Sequence, residues 1–144
     1  MDKFKGTPGP WRWEVNLGSK NISLCGGETR YDLTVMDFVR YGTGSAAPRF
    51  IAEPSSGFQI MERADKLSKI VPGREHHARW FQTLSHPDAQ LIAAAPDLLE
   101  AIQLLVHYHM CEQEGIGSGQ PTALEWLAAV DKAGDAINKA IGRE

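Results

Sequence analysis

Residues 85–102, SHPDAQLIAAAPDLLEAI, mark the point at which the chain changes its period. Ser85 or His86 followed by Pro87 and Asp88 opens a helix. Proline at the first position has no amide hydrogen to lose, and an acid in the first turn complements the open amides there. Pro96 lies inside the pattern, where proline removes a hydrogen bond and clashes with the preceding turn. The expectation is therefore a short helix, a bend, and a second helix from about Asp97 to Glu112 with Leu98, Leu99, Ile102, Leu105, Val106 and His109 as its stripe. Gly115 to Gly119 reads as a connector, and Thr122 with Glu125 as a capping box for a last helix. That helix places Leu127, Val130, Gly134, Ile137 and Ile141 on one face. The two helices are expected as an antiparallel pair packed on a sheet, with Gly134 allowing close approach.

Upstream the period is two. Trp11, Trp13 and Val15 alternate with Arg12, Glu14 and Asn16, as in a half-buried strand. Leu17 to Asn21 reads as a hairpin loop, Ile22 to Cys25 as a second strand closed by Gly26-Gly27, and Tyr31 to Tyr41 as a third. Gly42-Thr43-Gly44-Ser45 breaks that strand, Arg49 to Ala52 reads as a fourth and Phe58 to Met61 as a fifth. The stretch from Glu62 to Thr83 has no clear periodicity and reads as a functional loop with one helical turn. The fold class is α+β in one domain: an antiparallel sheet of four or five strands over 8–62, a loop region over 63–84 and helices over 86–142.

Composition narrows the function classes. The 144 residues carry a net charge of −3, unevenly spread: 12 Lys and Arg against 9 acids up to residue 87, then 3 against 9. Binding to duplex nucleic acid draws on phosphate neutralisation and a basic balance, so it is not expected. Cys25 and Cys111 show no C-x-x-C spacing and fit a reducing compartment. The N-terminal residues lack the apolar run of a secretory signal, and no stretch approaches the roughly 18 apolar residues of a membrane span, so a cytoplasmic protein with no membrane partner is expected.

The chemistry-bearing stretch is Arg74-Glu75-His76-His77-Ala78-Arg79-Trp80-Phe81. From Arg63 to Arg79 there are five cationic side chains against two acids. Arg binds phosphate bidentately, His donates hydrogen bonds, and Trp80 or Phe81 offers a face on which a base can stack. The ligand-binding candidates are Arg74, His76, His77, Arg79, Trp80 and Phe81, and a nucleotide-like anion is the ligand they suit. The same stretch also reads as a solvated loop with Trp80 and Phe81 tucked into the core.

No metal site is expected, because adjacent His76-His77 and the i, i+2 pair His107/His109 cannot face one ion from one helix face, and H-E-x-x-H is absent. Nothing local marks Cys25 or Cys111 as activated. Gly42-Thr43-Gly44-Ser45 is only half of a G-x-S-x-G motif, and Gly115 to Gly119 lacks a Walker lysine, so no catalytic residue and no cofactor are assigned. The acidic helical third offers a different surface, one suited to a basic partner or simply to water.

Thr7-Pro8-Gly9-Pro10-Trp11, paired with the run from His86 to Ile102, resembles a group of small phage and prophage accessory proteins. Those carry an N-terminal G-P-W, a variable β-rich middle and a motif of the form N-A-x-L-I-A-A-A-P-x-L-L-E-A-L. Asp88 stands where that pattern usually has Asn. A sheet followed by two helices opened by this motif also looks like phage anti-Thoeris proteins, which sequester cyclic ADP-ribose-type signals. Both resemblances imply an accessory gene used against the host. They imply a non-enzymatic counter-defence protein that holds a nucleotide-like immune signal, with a homo-oligomer helping to build the pocket. The alternative they leave open is an anti-CRISPR-type inhibitor of a host defence protein complex, and a signal-degrading enzyme stands behind that.

Overall fold

The computed structural model describes residues 4–27, 33–53, 59–80, 82–114 and 120–143. The fold is α+β, a five-stranded antiparallel sheet followed in sequence by two long helices. Two compact units divide the chain, Met1–Ala89 and Gln90–Glu144.

In the first unit β1 (Trp11–Asn16), β2 (Asn21–Gly26), β3 (Leu33–Tyr41), β4 (Ser45–Ile51) and β5 (Met61–Arg63) pair in sequence order as a meander. The expected alternation of β1 is in register, with Trp13 opposite Leu24 and Val15 opposite Ile22. Gly42 and Gly44 both have positive φ, which lets three residues join β3 to β4. Between β2 and β3 the register shifts after Leu24, so Val35 is the extra residue of a bulge, and it is fully buried. Val35 with Leu24, Cys25, Phe50 and Ile51 makes the small apolar core. Asp37 receives two hydrogen bonds from Arg49 across the β3–β4 pair, at 2.9 and 2.6 Å. Tyr31 and Phe58, expected at strand ends, lie outside the described residues.

The loop expected from Glu62 to Thr83 is more ordered than its composition suggests. A one-turn helix α1 (Ala64–Leu67) leads into β6 (Ser68–Ile70), which pairs with β7 (Gln82–Leu84) as a second, two-stranded sheet. Three-residue strands are too short to show a period, which is why the pattern did not reveal them.

In the second part α2 runs without interruption over Pro87–Glu114, with Pro96 inside it, and α3 covers Ala123–Ala140. The expected break at Pro96 does not occur. The amide that proline lacks would have bonded the carbonyl of Ile92, and both residues are exposed, so water can satisfy that oxygen. The capping box is present, with Thr122 accepting from the Glu125 amide and Glu125 accepting from Thr122. α3 ends in a Schellman motif: Arg143 N–H donates to Asn138 O, Gly142 N–H donates to Lys139 O, and Gly142 has φ +74°.

The stripes expected to pack these helices do so only in part, with Leu98, Leu105, Ile137 and Ile141 half-buried. The buried apolar residues of the pair, among the described residues, are Ala94 and Ala101 on α2 and Ala129, Ala136 and Ala140 on α3. Leu99, Ile102, Val106, Leu127 and Val130 are exposed, and a Cβ built on Gly134 meets nothing within 4 Å, so that glycine makes no close approach within the chain. Alanine faces let two helices come close, and large side chains are then displaced to the outside. Averaged over 18 residues, Pro87–Gln113 is also apolar and long enough, by length and composition alone, to cross a membrane, with a mean hydropathy of 1.4. Scattered polar residues interrupt its apolar run without lowering the average far.

Candidate functional site

The candidate residues sit at the tip of the hairpin formed by β6 and β7. Val71-Pro72-Gly73-Arg74 makes a turn closed by Arg74 N–H donating to Val71 O at 3.0 Å, with Gly73 at φ +79° supplying the conformation that position requires. A 3-10 turn over Glu75–His77 follows, and bonds from His77 to Arg74 O and from Trp80 to His77 O continue it. The Glu75 carboxylate is held below the usual range by its own amide and by that of Gly73, which donates at 2.9 Å. Gln82 ties the far side by donating to Ala78 O at 2.8 Å.

This tip brings Arg74, His76, His77, Arg79 and Trp80 together on the surface, all exposed, and the rings of His76 and His77 lie 4.1 Å apart. Trp80 is 84 % exposed, so the alternative of a Trp tucked into the core does not hold. Phe81 lies outside the described residues. The wider cationic patch is thinner than its sequence. Arg63 donates two hydrogen bonds to Asp65 at 2.8 and 2.7 Å and lies over the Tyr41 ring at 4.4 Å, while Lys66 pairs with Glu62 at 3.3 Å. Those two cations are engaged with their own neighbours.

A second polar cluster escaped sequence reasoning. Thr7 donates to Asp88 twice, from its backbone amide to Oδ1 at 2.6 Å and from Oγ1 to Oδ2 at 2.7 Å, with both residues buried. Asp88 in turn donates its amide to His86 Nδ1 at 3.2 Å, which leaves the ring proton on Nε2, 2.7 Å from the Ile51 carbonyl. Phe50 lies against the same imidazole at 5.0 Å. Trp11 Nε1 donates to Thr7 O at 3.0 Å. A Cβ on Gly6 would collide with the Asp88 carboxylate, and one on Gly26 would come 2.7 Å from Pro8 O, so both glycines are needed for the N-terminal arm to lie where it does. The two motifs that looked separate in sequence therefore form one clasp. Its groups bond one another, which makes it structural; the signal for it was two motifs with buried-type polar residues and no local partner.

Elsewhere the chemistry is sparse. Cys25 is buried in β2, and Cys111 Sγ lies 3.8 Å from His107 Nε2 one turn away on α2. Among the described residues no three His, Cys, Asp or Glu side chains cluster as a metal would need. A cavity of about 190 Å³ beside the clasp is lined by Ala52, Leu67, Lys69, Ser85, His86 and Pro87.

A meander closed by a polar clasp, a projecting cationic hairpin and an alanine-packed helical pair define a small α+β protein. The chain belongs to the family of Salmonella phage P22 protein Y8K6, which it matches over residues 1–144. It is thus a phage protein, the origin its two motifs implied. Nothing among curated proteins or solved structures matches it.

Proposed function

We propose that this phage protein is a counter-defence factor that acts in the host cytoplasm by binding, taking a nucleotide-like immune signal onto the β6–β7 tip. The observation that carries this reading is the gathering of Arg74, His76, His77, Arg79 and an 84 % exposed Trp80 on one ordered turn. An indole left in water beside cations suits a base stacked on the ring and a phosphate held by guanidinium groups, with each stacked base contributing about 1–3 kcal/mol. The projection of the tip favours a second reading, a direct inhibitor that inserts Trp80 into a host defence complex, since exposed Trp and Arg are the usual anchors of protein interfaces.

One experiment separates them. The purified protein is incubated with a panel of cyclic and ADP-ribose-type nucleotides, unbound ligand is removed, and the denatured supernatant is read by mass spectrometry. Sequestration predicts an intact nucleotide, lost in Arg74→Ala, Arg79→Ala and Trp80→Ala. If every nucleotide stays in solution, sequestration fails; co-purification of a host complex that is lost in Trp80→Ala would then establish the inhibitor. Nucleotides altered by the protein would overturn both.

A further inference from the structure

The α2–α3 pair is two-sided. Its inner face is alanine, and one flank is closed by ion pairs, Lys132 with Glu100 at 2.6 Å and Lys139 with Asp97. Tyr108 meets Trp126 edge-on at 5.6 Å, which fixes the antiparallel register. At 100° per residue, Leu99, Ile102 and Val106 on α2 and Leu127, Val130 and Gly134 on α3 all turn toward the other flank. The first five are between 51 % and 60 % exposed. The pair thus has a charged flank and an apolar flank, with Gly134 set among the apolar side chains over open space.

We infer that this apolar flank is the interface with a second copy of the chain, the two helical pairs closing into an antiparallel four-helix bundle. Area supports a like partner: with Met110 the flank exposes on the order of 600 Å² of apolar surface, most of the roughly 800 Å² each partner gives to a standard interface. A two-fold axis lets one patch serve both subunits, and a helical hairpin that pairs with itself needs no other complementary surface. Gly134 explains itself in that setting. A mid-helix glycine lowers helix stability without return inside the chain, but it allows a neighbouring helix to approach closely. A lipid bilayer is the poorer occupant, because Asp97 and Glu100 in the middle of α2 are paired to lysines of α3, and insertion of α2 would break or bury those pairs.

The test is the solution mass of the full chain by sedimentation equilibrium. Twice 15.9 kDa is expected for the wild type, one chain mass for Leu99→Glu and Val130→Glu, and the dimer mass for Ala128→Glu, an exposed position on the ion-paired side of α3. Circular dichroism checks that each variant is folded. A monomeric wild type overturns the inference whatever the variants do, and flotation of that monomer with vesicles of phosphatidylethanolamine and phosphatidylglycerol would identify lipid as the occupant. A dimer unaffected by both stripe variants overturns it as well. None of these readouts depends on nucleotide binding.

Discussion

Asp88 is the residue on which most depends for its size. Replacing it by alanine leaves the Thr7 amide and hydroxyl without acceptors in a buried place, and about 3 kcal/mol of stability should be lost, read as a lower midpoint in urea. Asp88→Asn should retain all but about 1 kcal/mol, since the amide oxygen still accepts from Thr7 N–H and the amide nitrogen can donate to Thr7 Oγ1. That is a physical reason for Asn to be acceptable at this position. Glu125 gives a pH dependence. Its carboxyl is held below the usual carboxylate range, first by the Thr122 backbone amide and then by the Thr122 hydroxyl. The unfolded chain takes up the proton at a higher pH, so the cap's contribution is complete above the ordinary carboxylate value and is lost as pH falls through the depressed one. Protection of the amides at the start of α3, their exchange relative to the unfolded chain at the same pH, should therefore fall in acid, and Glu125→Gln should flatten the response. The capping box was legible because both partners lie three residues apart. The clasp was not, because its partners lie 81 positions apart and each half, alone, is an ordinary turn or helix start.

Elements tell a similar story of what local pattern can carry. β1 was readable because alternation persists for six residues, whereas β4, expected from Arg49, begins at Ser45 in a stretch without alternation, and β6 and β7 are legible only as a pair. Within α2, Pro96→Ala restores a missing hydrogen bond and removes a steric conflict. It should stabilise the helix by roughly 1–3 kcal/mol, less what the more flexible unfolded chain takes back. Thermal unfolding followed at a dilution that keeps chains apart is the appropriate measurement. Gly134→Ala has open space and gains about 1 kcal/mol of helix propensity, so it should raise the stability of the single chain. In the same variant self-association should weaken, an opposition of signs that sedimentation can detect. The expected packing stripes were misplaced in part because the apolar residues of α2 extend well beyond the side that packs, from Leu98 and Leu105 to Leu99, Ile102 and Val106. Periodicity then cannot say which side faces its partner, and alanine, the smallest apolar residue, takes the inner face.

For the whole molecule, charge and surface limit what can bind. The net charge of −3 repels long polyanions, while the site proposed on the β6–β7 tip would attract a short one. Duplex DNA should thus produce no mobility shift at physiological salt, and any nucleotide retained by the tip should be released progressively as salt rises. Of the candidate site, sequence supplied a cluster of cationic and aromatic residues, of which Arg74, His76, His77, Arg79 and Trp80 lie exposed on one turn. It could not show that Trp80 stands in water, because exposure is settled by the turn that precedes it. The clasp has one more consequence. Thr7 and Asp88 pin together two distant points of the chain, so nearly everything between them, the whole meander and its projecting tip, is a cassette held shut at one point. Tips of other lengths between β6 and β7 should be exchangeable without disturbing the closure, whereas Trp11, Gly26 and Ile51 touch the clasp and must stay. A graft bounded by Ile70 and Gln82 should inherit that closure ready-made.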